Sequence, residues 1–213
     1  MSGILLLVTL FVGIFVVAEI LHQRGWPAAK TRKFVHISAG IISCLLPIAV
    51  NQMTAIGIGL IFSLFLLWTQ RTHVLESIHN VQDNNVGAVL FPLGLIPCAI
   101  WFWDNSLVFQ SSALILGVSD GLACIFGRRY GKRGYNITGY KTLEGSIVFF
   151  ITTGIILLVI MSFFGTALSP TKVYFIFGGS LVLTVIEGAL GRGWDNLFIP
   201  ISAAIITRTI LAG

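Results

Sequence analysis

Eight apolar stretches of 16 to 20 residues, divided by short polar connections, limit what this chain can fold into. They cover 3–21, 34–50, 53–68, 86–102, 107–126, 146–164, 172–190 and 197–212. About 20 apolar residues cross the hydrocarbon core of a bilayer as a helix, and a segment in lipid must satisfy its own backbone hydrogen bonds. The pattern predicts a single domain over residues 1–213, an all-α, polytopic membrane helix bundle of about eight transmembrane helices.

The charge content excludes several classes of protein. Only 10% of the residues are charged and 56% are hydrophobic, whereas soluble domains carry about 25% charged residues. A soluble enzyme, a disordered chain and a nucleic-acid-binding module are therefore ruled out, and no nucleic-acid partner is expected. Cys44, Cys98 and Cys124 lie in separate apolar runs, which predicts small buried side chains and no disulfide framework.

The basic residues are divided unequally between alternate connections. Eleven of the 13 lysines and arginines lie in or beside the odd-numbered connections, whereas the opposite connections contain only Lys172. The positive-inside rule then predicts that both termini lie on the non-cytoplasmic side. We expect a multi-pass protein of a prokaryotic plasma membrane, because the sequence starts without an Arg/Ser-rich, transit-like leader. The sequence leaves the oligomeric state open.

Ionisable side chains concentrate toward the same predicted cytoplasmic ends. Asp120 and Glu187 lie inside helices within about two turns of these ends, and His36 lies about one turn inside the second helix. A transporter places such groups near the midplane. A one-sided cluster instead favours an enzyme that takes a soluble substrate from the cytoplasm and a lipid from the bilayer. A transporter or scaffolding membrane protein is the more distant alternative.

Asp120 is the most informative of these residues. A carboxylate in a membrane helix costs about 2.5–3.5 kcal/mol on insertion scales, so it needs a partner or a function. Gly117 and Gly121 beside it predict close helix contact. The alternative is a structural aspartate bonded to neighbouring backbone. The desolvation argument applies equally to Glu187.

A basic, glycine-punctuated loop follows Asp120. Taken alone, a basic loop of this kind is typical of a segment that determines membrane topology or binds anionic lipid. Its glycines allow the backbone to approach a ligand closely, and Lys141-Thr142 stand just before a predicted helix N-terminus, where free amides favour phosphate. We therefore expect Lys141 to act in catalysis. The expected nucleotide- and phosphate-binding residues are Arg32, Lys33, Arg128, Arg129, Lys132, Arg133, Thr142, Gly145 and Ser146.

Two further segments complete the predicted site. Lys33, His36 and Gly40 share one helical stripe, although a buried, hydrogen-bonded histidine is the alternative for His36. Asp195 or Asn196 could simply cap the last helix. Three carboxylates that face the basic loop, however, form a plausible binding site for a nucleotide together with Mg²⁺ or a similar divalent cation. These expected metal ligands are Asp120, Glu187 and Asp195.

Taken together, the motifs resemble those of the CTP-dependent polyprenol kinases, the family of phytol kinase, dolichol kinase and CTP-dependent diacylglycerol kinase. Four elements match in order over residues 32–200. They are Arg32-Lys33 with His36, then Asp120, Ala123, Gly127 and Gly131, then Lys141, Thr142, Gly145 and Ser146, and finally Glu187, Asp195, Asn196 and Pro200.

The resemblance implies transfer of the γ-phosphoryl group of CTP to a membrane-dissolved isoprenoid alcohol or diacylglycerol. Asp120, His36, Lys141 and Glu187 are then the expected catalytic residues. Cys124 stands where phytol kinases often have a second aspartate, and Glu144 is more similar to the dolichol and diacylglycerol branch. The alcohol therefore stays open between the branches. The alternative function is a CTP:phosphatidate cytidylyltransferase, which belongs to the same superfamily.

Overall fold

A computed structural model describes residues 2–72, 74–79, 86–135, 141–163 and 168–212 of the chain. Helices form almost all of this described part. They are α1 (Ser2–Gln23), α2 (Ala28–Ser43), α3 (Leu46–Ala49), α4 (Gln52–Thr72), α5 (Glu76–His79), α6 (Gly87–Phe102), α7 (Ser106–Leu114), α8 (Asp120–Tyr130), α9 (Leu143–Phe163), α10 (Pro170–Ala189) and α11 (Asp195–Ala212). A π-helical turn, Ile115–Ser119, joins α7 to α8.

Six helical spans in the described residues are long and apolar enough to cross a membrane. They are Gly3–Gln23, Gln52–Thr72, Ser106–Tyr130, Leu143–Ser162, Pro170–Ala189 and Asp195–Ala212. Helix α6 is apolar but shorter, and α2 also has only 16 residues. The prediction of a multi-pass, helical architecture is thus confirmed. The number of eight transmembrane helices and the side of the membrane on which the termini lie stay predictions.

The second apolar stretch differs most from its predicted bounds. The sequence predicts one segment over 34–50, but α2 begins at Ala28 and ends at Ser43, and α3 follows it. Pro27 precedes the first turn of α2, where its fixed φ suits a helix start. Polar residues therefore extend this helix beyond its apolar part. As a result, Lys33 and His36 lie on successive turns of a regular helix.

Two very short strands interrupt the helical pattern after α8. They are β1 (Gly134–Tyr135) and β2 (Lys141–Thr142), which pair antiparallel with Tyr135 opposite Lys141. The amide of Leu143 donates to the carbonyl of Arg133 at 3.0 Å and closes the pair. Two residues are too few to show a period of two, so the sequence predicted no strand here. The pair turns the chain back and delivers Lys141 to the start of α9.

Apolar side chains lie both inside the bundle and on its surface. One buried cluster joins α1, α2, α4, α6 and α7, and a second joins α9, α10 and α11. Large apolar side chains such as Ile61, Leu64 and Val185 are more than three-fifths exposed, as expected for helices that face lipid. At one end, Arg208 pairs with Asp104 at 3.0 Å.

Candidate active site

Glycine allows α2 to cross the π-helical turn at very short range. A Cβ atom on Gly40 would lie 2.6 Å from the Cα of Gly117, and a Cβ on Gly117 would lie equally close to Gly40. No side chain larger than hydrogen fits at such a distance. A Cβ on Gly121 would likewise collide with Ile37. The close helix contact that the sequence predicts for Gly117 and Gly121 is thus confirmed, and the helix they contact is α2.

The π-helical turn ends directly at Asp120. Its wider winding is visible in the amide of Asp120, which bonds back to the carbonyl of Ile115 five residues earlier. Single π turns inside α-helices occur frequently at functional sites. Here the carbonyl of Leu116 accepts a hydrogen bond from Nε2 of His36 at 2.9 Å. The turn thus offers both a carbonyl and a carboxylate to α2.

Asp120 is nearly fully buried, and its carboxylate is in contact with two side chains of α2. Its Oδ2 lies 2.8 Å from Nζ of Lys33 and 3.1 Å from Nε2 of His36. We call Lys33, His36 and Asp120 the Asp120 cluster. Both partners of Nε2 in His36, the carboxylate and the carbonyl of Leu116, are acceptors. Nε2 therefore carries a proton, and Nδ1 is the acceptor nitrogen of the neutral ring.

A second polar cluster forms around Lys141. Its ammonium nitrogen lies 2.5 Å from Oε1 of Glu187 and 3.0 Å from Oδ2 of Asp195. The hydroxyl of Ser146 donates to Oε2 of Glu187 at 3.3 Å and bonds to the hydroxyl of Tyr135 at 2.5 Å. We call these five residues the Lys141 cluster. The hairpin, α9, α10 and the first turn of α11 each contribute to it.

Charges connect the two clusters. Burial lowers the pKa of the Lys141 ammonium, but neighbouring carboxylates raise it by more, so that the pKa lies above its ordinary value of 10.5. These carboxylates belong to Asp195, Asp120 and Glu187. Lys141 is therefore charged throughout the physiological pH range. Asp120, although bonded to α2, acts electrostatically on the lysine of the other cluster.

The predicted phosphate-binding cations fall into two groups. Lys33 is in the Asp120 cluster, and Arg32 is half-buried and interacts electrostatically with Asp120 and Asp195. The others are exposed at and after the last turn of α8; they are Arg128, Arg129, Lys132 and Arg133. The guanidinium of Arg129 lies 5.2 Å from the ring centre of Tyr130. The exposed group is open to solvent, and Arg128 lies close enough to Arg32 to interact with it electrostatically.

Thr142, Gly145 and Ser146 lie at the start of α9, as predicted, but their polar groups already have partners. The amide of Gly145 donates to Oγ1 of Thr142 at 3.2 Å, so this amide is not free, contrary to the sequence-based expectation. A Cβ on Gly145 would lie 2.9 Å from the carbonyl oxygen of Ala123. Gly145 therefore lets α9 pack against α8, and its role toward phosphate stays a prediction.

The carboxylates suit a divalent cation only together with further ligands. Among the described residues, no group of three or more His, Cys, Asp or Glu side chains could hold a metal ion. Mg²⁺ commonly takes one or two carboxylates with phosphate oxygens and waters. Lys33 and His36 both contact Oδ2 of Asp120, which leaves Oδ1 as the oxygen for such an ion. Glu187 and Asp195 share Lys141.

Three contributors to the site have no signal in the sequence. Tyr135 reaches Ser146 and packs on α10, where a Cβ on Gly188 would lie 2.6 Å from its hydroxyl oxygen. The carbonyl of Leu116 orients His36. The ring of Phe91 packs edge-on against His36, with 4.9 Å between ring centres. Neither a lone tyrosine nor an apolar helix residue could be singled out by spacing.

Comparisons with known proteins give three informative relatives. The chain is 27% identical to phytol kinase of Synechocystis over 204 residues, which cover 89% of this chain and 83% of the relative. An uncharacterized protein of Methanocaldococcus jannaschii is 30% identical over 125 residues, 59% of each chain. Dolichol kinase of Saccharomyces cerevisiae is 46% identical over 48 residues, 22% of this chain and 9% of that protein.

No family model matches the chain, and no solved structure matches it. Two of the three relatives are named as kinases, and the similarity to the phytol kinase covers 89% of this chain.

Proposed function

We propose that this protein belongs to the polyprenol kinases and transfers the γ-phosphoryl group of CTP to a membrane lipid alcohol. The acceptor is an isoprenoid alcohol of the phytol, polyprenol or dolichol type, or diacylglycerol. The supporting observation is that the Asp120 cluster and the Lys141 cluster, both largely buried, lie close enough for the Asp120 carboxylate to raise the pKa of Lys141. Similarity to a phytol kinase over 89% of the chain supports the same function.

Phosphoryl transfer requires positioning and charge neutralisation more than covalent chemistry. Lys141 is the candidate for binding the transferred phosphoryl group, because it is half-buried and charged throughout the physiological pH range. Arg32 and the exposed cations at the end of α8 would bind the remaining phosphate oxygens. When the triphosphate binds, its oxygens replace part of the contact that Glu187 and Asp195 make with Lys141.

A divalent cation would be held by Asp120, with Glu187 or Asp195 as the second carboxylate. Such a cation would supply positive charge that neutralises the negative charge on the transferred phosphoryl group. Lys33 holds the Asp120 carboxylate in place through its 2.8 Å ion pair. The role of this chain's own residues is thus to hold a carboxylate oxygen at a fixed position inside the bundle.

His36 is the candidate general base. The carbonyl of Leu116 and the carboxylate of Asp120 fix its Nε2, so Nδ1 can accept the proton of the alcohol. The alcohol oxygen bonds to the γ-phosphorus, the bond to the β–γ bridging oxygen breaks, and CDP leaves. The proton moves to Nδ1. We propose that this end of the bundle faces the cytoplasm, where CTP is available.

The test compares two positions of the label in the nucleotide. Purified protein is incubated with Mg²⁺, a panel of lipid alcohols or phosphatidate, and CTP labelled at the γ- or the α-phosphate; ATP is run in parallel. Label from the γ position alone, in the phosphate of an alcohol, is the expected result. Label that reaches lipid from the α position alone would overturn the kinase in favour of cytidylyl transfer. Uptake of a solute across the membrane without nucleotide consumption would favour a transporter.

A further inference from the structure

An elongated apolar cavity lies between α1, α2, α4, α6 and α7. Its free volume is about 60 Å³, several times the roughly 10–15 Å³ that one water molecule needs. Apart from Ser43, every side chain that lines it is apolar. The lining includes Phe11 and Phe15 of α1, Ala39 of α2, Gly59 and Leu66 of α4, and Phe91 of α6.

The cavity extends along the helices. Its lining on α4 runs from Ala55 to Leu66, and its lining on α6 runs from Phe91 to Ala99. At 1.5 Å per residue, these segments correspond to roughly 16 Å and 12 Å along the helix axes. Such a shape suits an extended hydrocarbon chain rather than a compact polar group.

One end of the cavity lies next to the Asp120 cluster, with the ring of Phe91 between the cavity and His36. Phe91, which lines the cavity, packs edge-on against His36 with 4.9 Å between ring centres. On α2, the lining residues Ala39 and Ser43 continue the stripe of His36 at i+3 and i+7. The cavity is therefore apolar along its length, and a proton acceptor and charges lie just beyond Phe91 at one end. A long-chain alcohol has the same arrangement of apolar and polar parts.

We propose that this cavity binds the proximal part of the acceptor's hydrocarbon chain and presents its hydroxyl group to His36. The inference rests on the proposed function and adds to it the site of the acceptor. The helices α1, α2, α4 and α6 select alcohols with an extended chain, whereas the Lys141 cluster takes the nucleotide. Donor and acceptor thus reach Asp120 from different sides.

Two glycines of α4 provide a matched pair of variants. Gly59 lines the cavity, and a Cβ there would lie 3.0 Å from Ile96. Gly57, one half-turn away, has nothing within 4 Å of such a Cβ. Both changes replace a mid-helix glycine, so both gain helix propensity. Gly59→Leu fills the cavity, whereas Gly57→Leu leaves it open.

Phytol and the short alcohol prenol are the test acceptors. About 10 Å of cavity separates Gly59 from Leu66 along α4, enough for prenol at the His36 end. We expect Gly59→Leu to lower kcat/KM for phytol by at least about tenfold and to leave the value for prenol within about twofold. Gly57→Leu should change neither. Equal losses for both alcohols in Gly59→Leu, or equal effects of the two variants, would overturn the proposal. Ala99→Phe serves as a second filling variant if Gly59→Leu does not fold.

A binding measurement separates this proposal from the kinase activity. Phytol with a diazirine in the proximal part of its chain is photolysed with the wild-type protein, and the labelled peptides are identified by mass spectrometry. Labelling of cavity residues of α4 and α6, competed by unlabelled phytol, supports the cavity even if no phosphoryl group is transferred. Labelling confined to exposed residues such as Ile61 and Leu64 overturns it, even if phytol is phosphorylated.

Discussion

Lys33 and Asp120 are 87 positions apart in the sequence and form a 2.8 Å ion pair inside the helix bundle. The pair requires α2 and the π-helical turn to lie closer than any side chain would allow, and Gly40 and Gly117 provide that approach. A buried charge without a partner strongly destabilises the folded state. Each of the two residues therefore needs the other.

Asp120→Asn should abolish most of the activity. The change keeps the size of the side chain but removes the charge that balances Lys33 and would bind a divalent cation. We expect a loss in kcat of roughly a hundredfold or more, measured by transfer of γ-label from CTP to phytol. Asp104→Asn is the control, because that carboxylate pairs with Arg208 in an exposed position. Near-normal turnover in Asp120→Asn would remove Asp120 from the site.

His36→Gln separates proton transfer from ligand binding. The glutamine amide can still donate to Asp120 or to the carbonyl of Leu116, but it has no equivalent of the basic Nδ1. We expect kcat to fall by about 10²–10⁴, while the rise in melting temperature caused by CTP and Mg²⁺ is retained. If the variant turns over normally, a carboxylate or water is the base instead.

Lys141→Ala should prevent nucleotide binding. Without the ammonium group, Glu187 and Asp195 lose their shared cation and repel the triphosphate. The stabilisation by CTP in a thermal unfolding experiment should disappear, because only a ligand that binds the folded state raises the melting temperature. Lys172→Ala, at the start of α10, removes a lysine outside the cluster and should keep the full shift. An unchanged shift in Lys141→Ala would contradict the assignment.

The raised pKa of Lys141 predicts how stability depends on pH. The folded state holds this proton more tightly than the unfolded state, so the stabilisation is fully present below the ordinary value of 10.5. It is lost as the pH rises from there through the folded-state pKa. The difference in melting temperature between wild type and Lys141→Met should thus stay constant from about pH 7 to about pH 9 and shrink only above about pH 10. A difference that shrinks below about pH 9 would contradict a raised pKa, and Lys172→Met serves as the control.

Gly117→Ala tests the helix crossing. The added methyl group would meet the backbone of Gly40 at 2.6 Å, so α2 must move away from the π-helical turn. Overpacking of this kind costs about 1–3 kcal/mol, and the displaced α2 should also weaken the contact between Lys33 and Asp120. We expect both a lower melting temperature and lower activity. Gly57→Ala, which faces open space, should lower neither.

The sequence predicted the helices and the composition of the site better than its contacts. Apolar length located the helices, because lipid leaves the backbone no other regular structure. The stripe of Lys33, His36 and Gly40 was predicted from helix geometry, and all three contact the segment from 116 to 120. The cost of a buried charge singled out Asp120 and Glu187 correctly as residues that need partners.

The pairing of charges could not be predicted. Nothing local indicates that Lys33 pairs with Asp120, or that Lys141 pairs with Glu187 and Asp195, because these contacts join residues 87, 46 and 54 positions apart. The β1–β2 pair is too short for a periodic signal, and nothing in the composition of the π-helical turn distinguishes it from an α-helix. Each depends on tertiary packing, which a single sequence does not display.

The extra residue in the turn Ile115–Ser119 sets the rotation of everything that follows it on the same helix. Each residue of a regular α-helix advances the side chain by about 100°. Deleting one residue between 115 and 119 would therefore swing the Asp120 carboxylate from α2 toward a different neighbour and carry the cationic end of α8 with it. A single backbone irregularity thus aligns two halves of one membrane helix, so that one packs against the apolar cavity and the other against the charged groups.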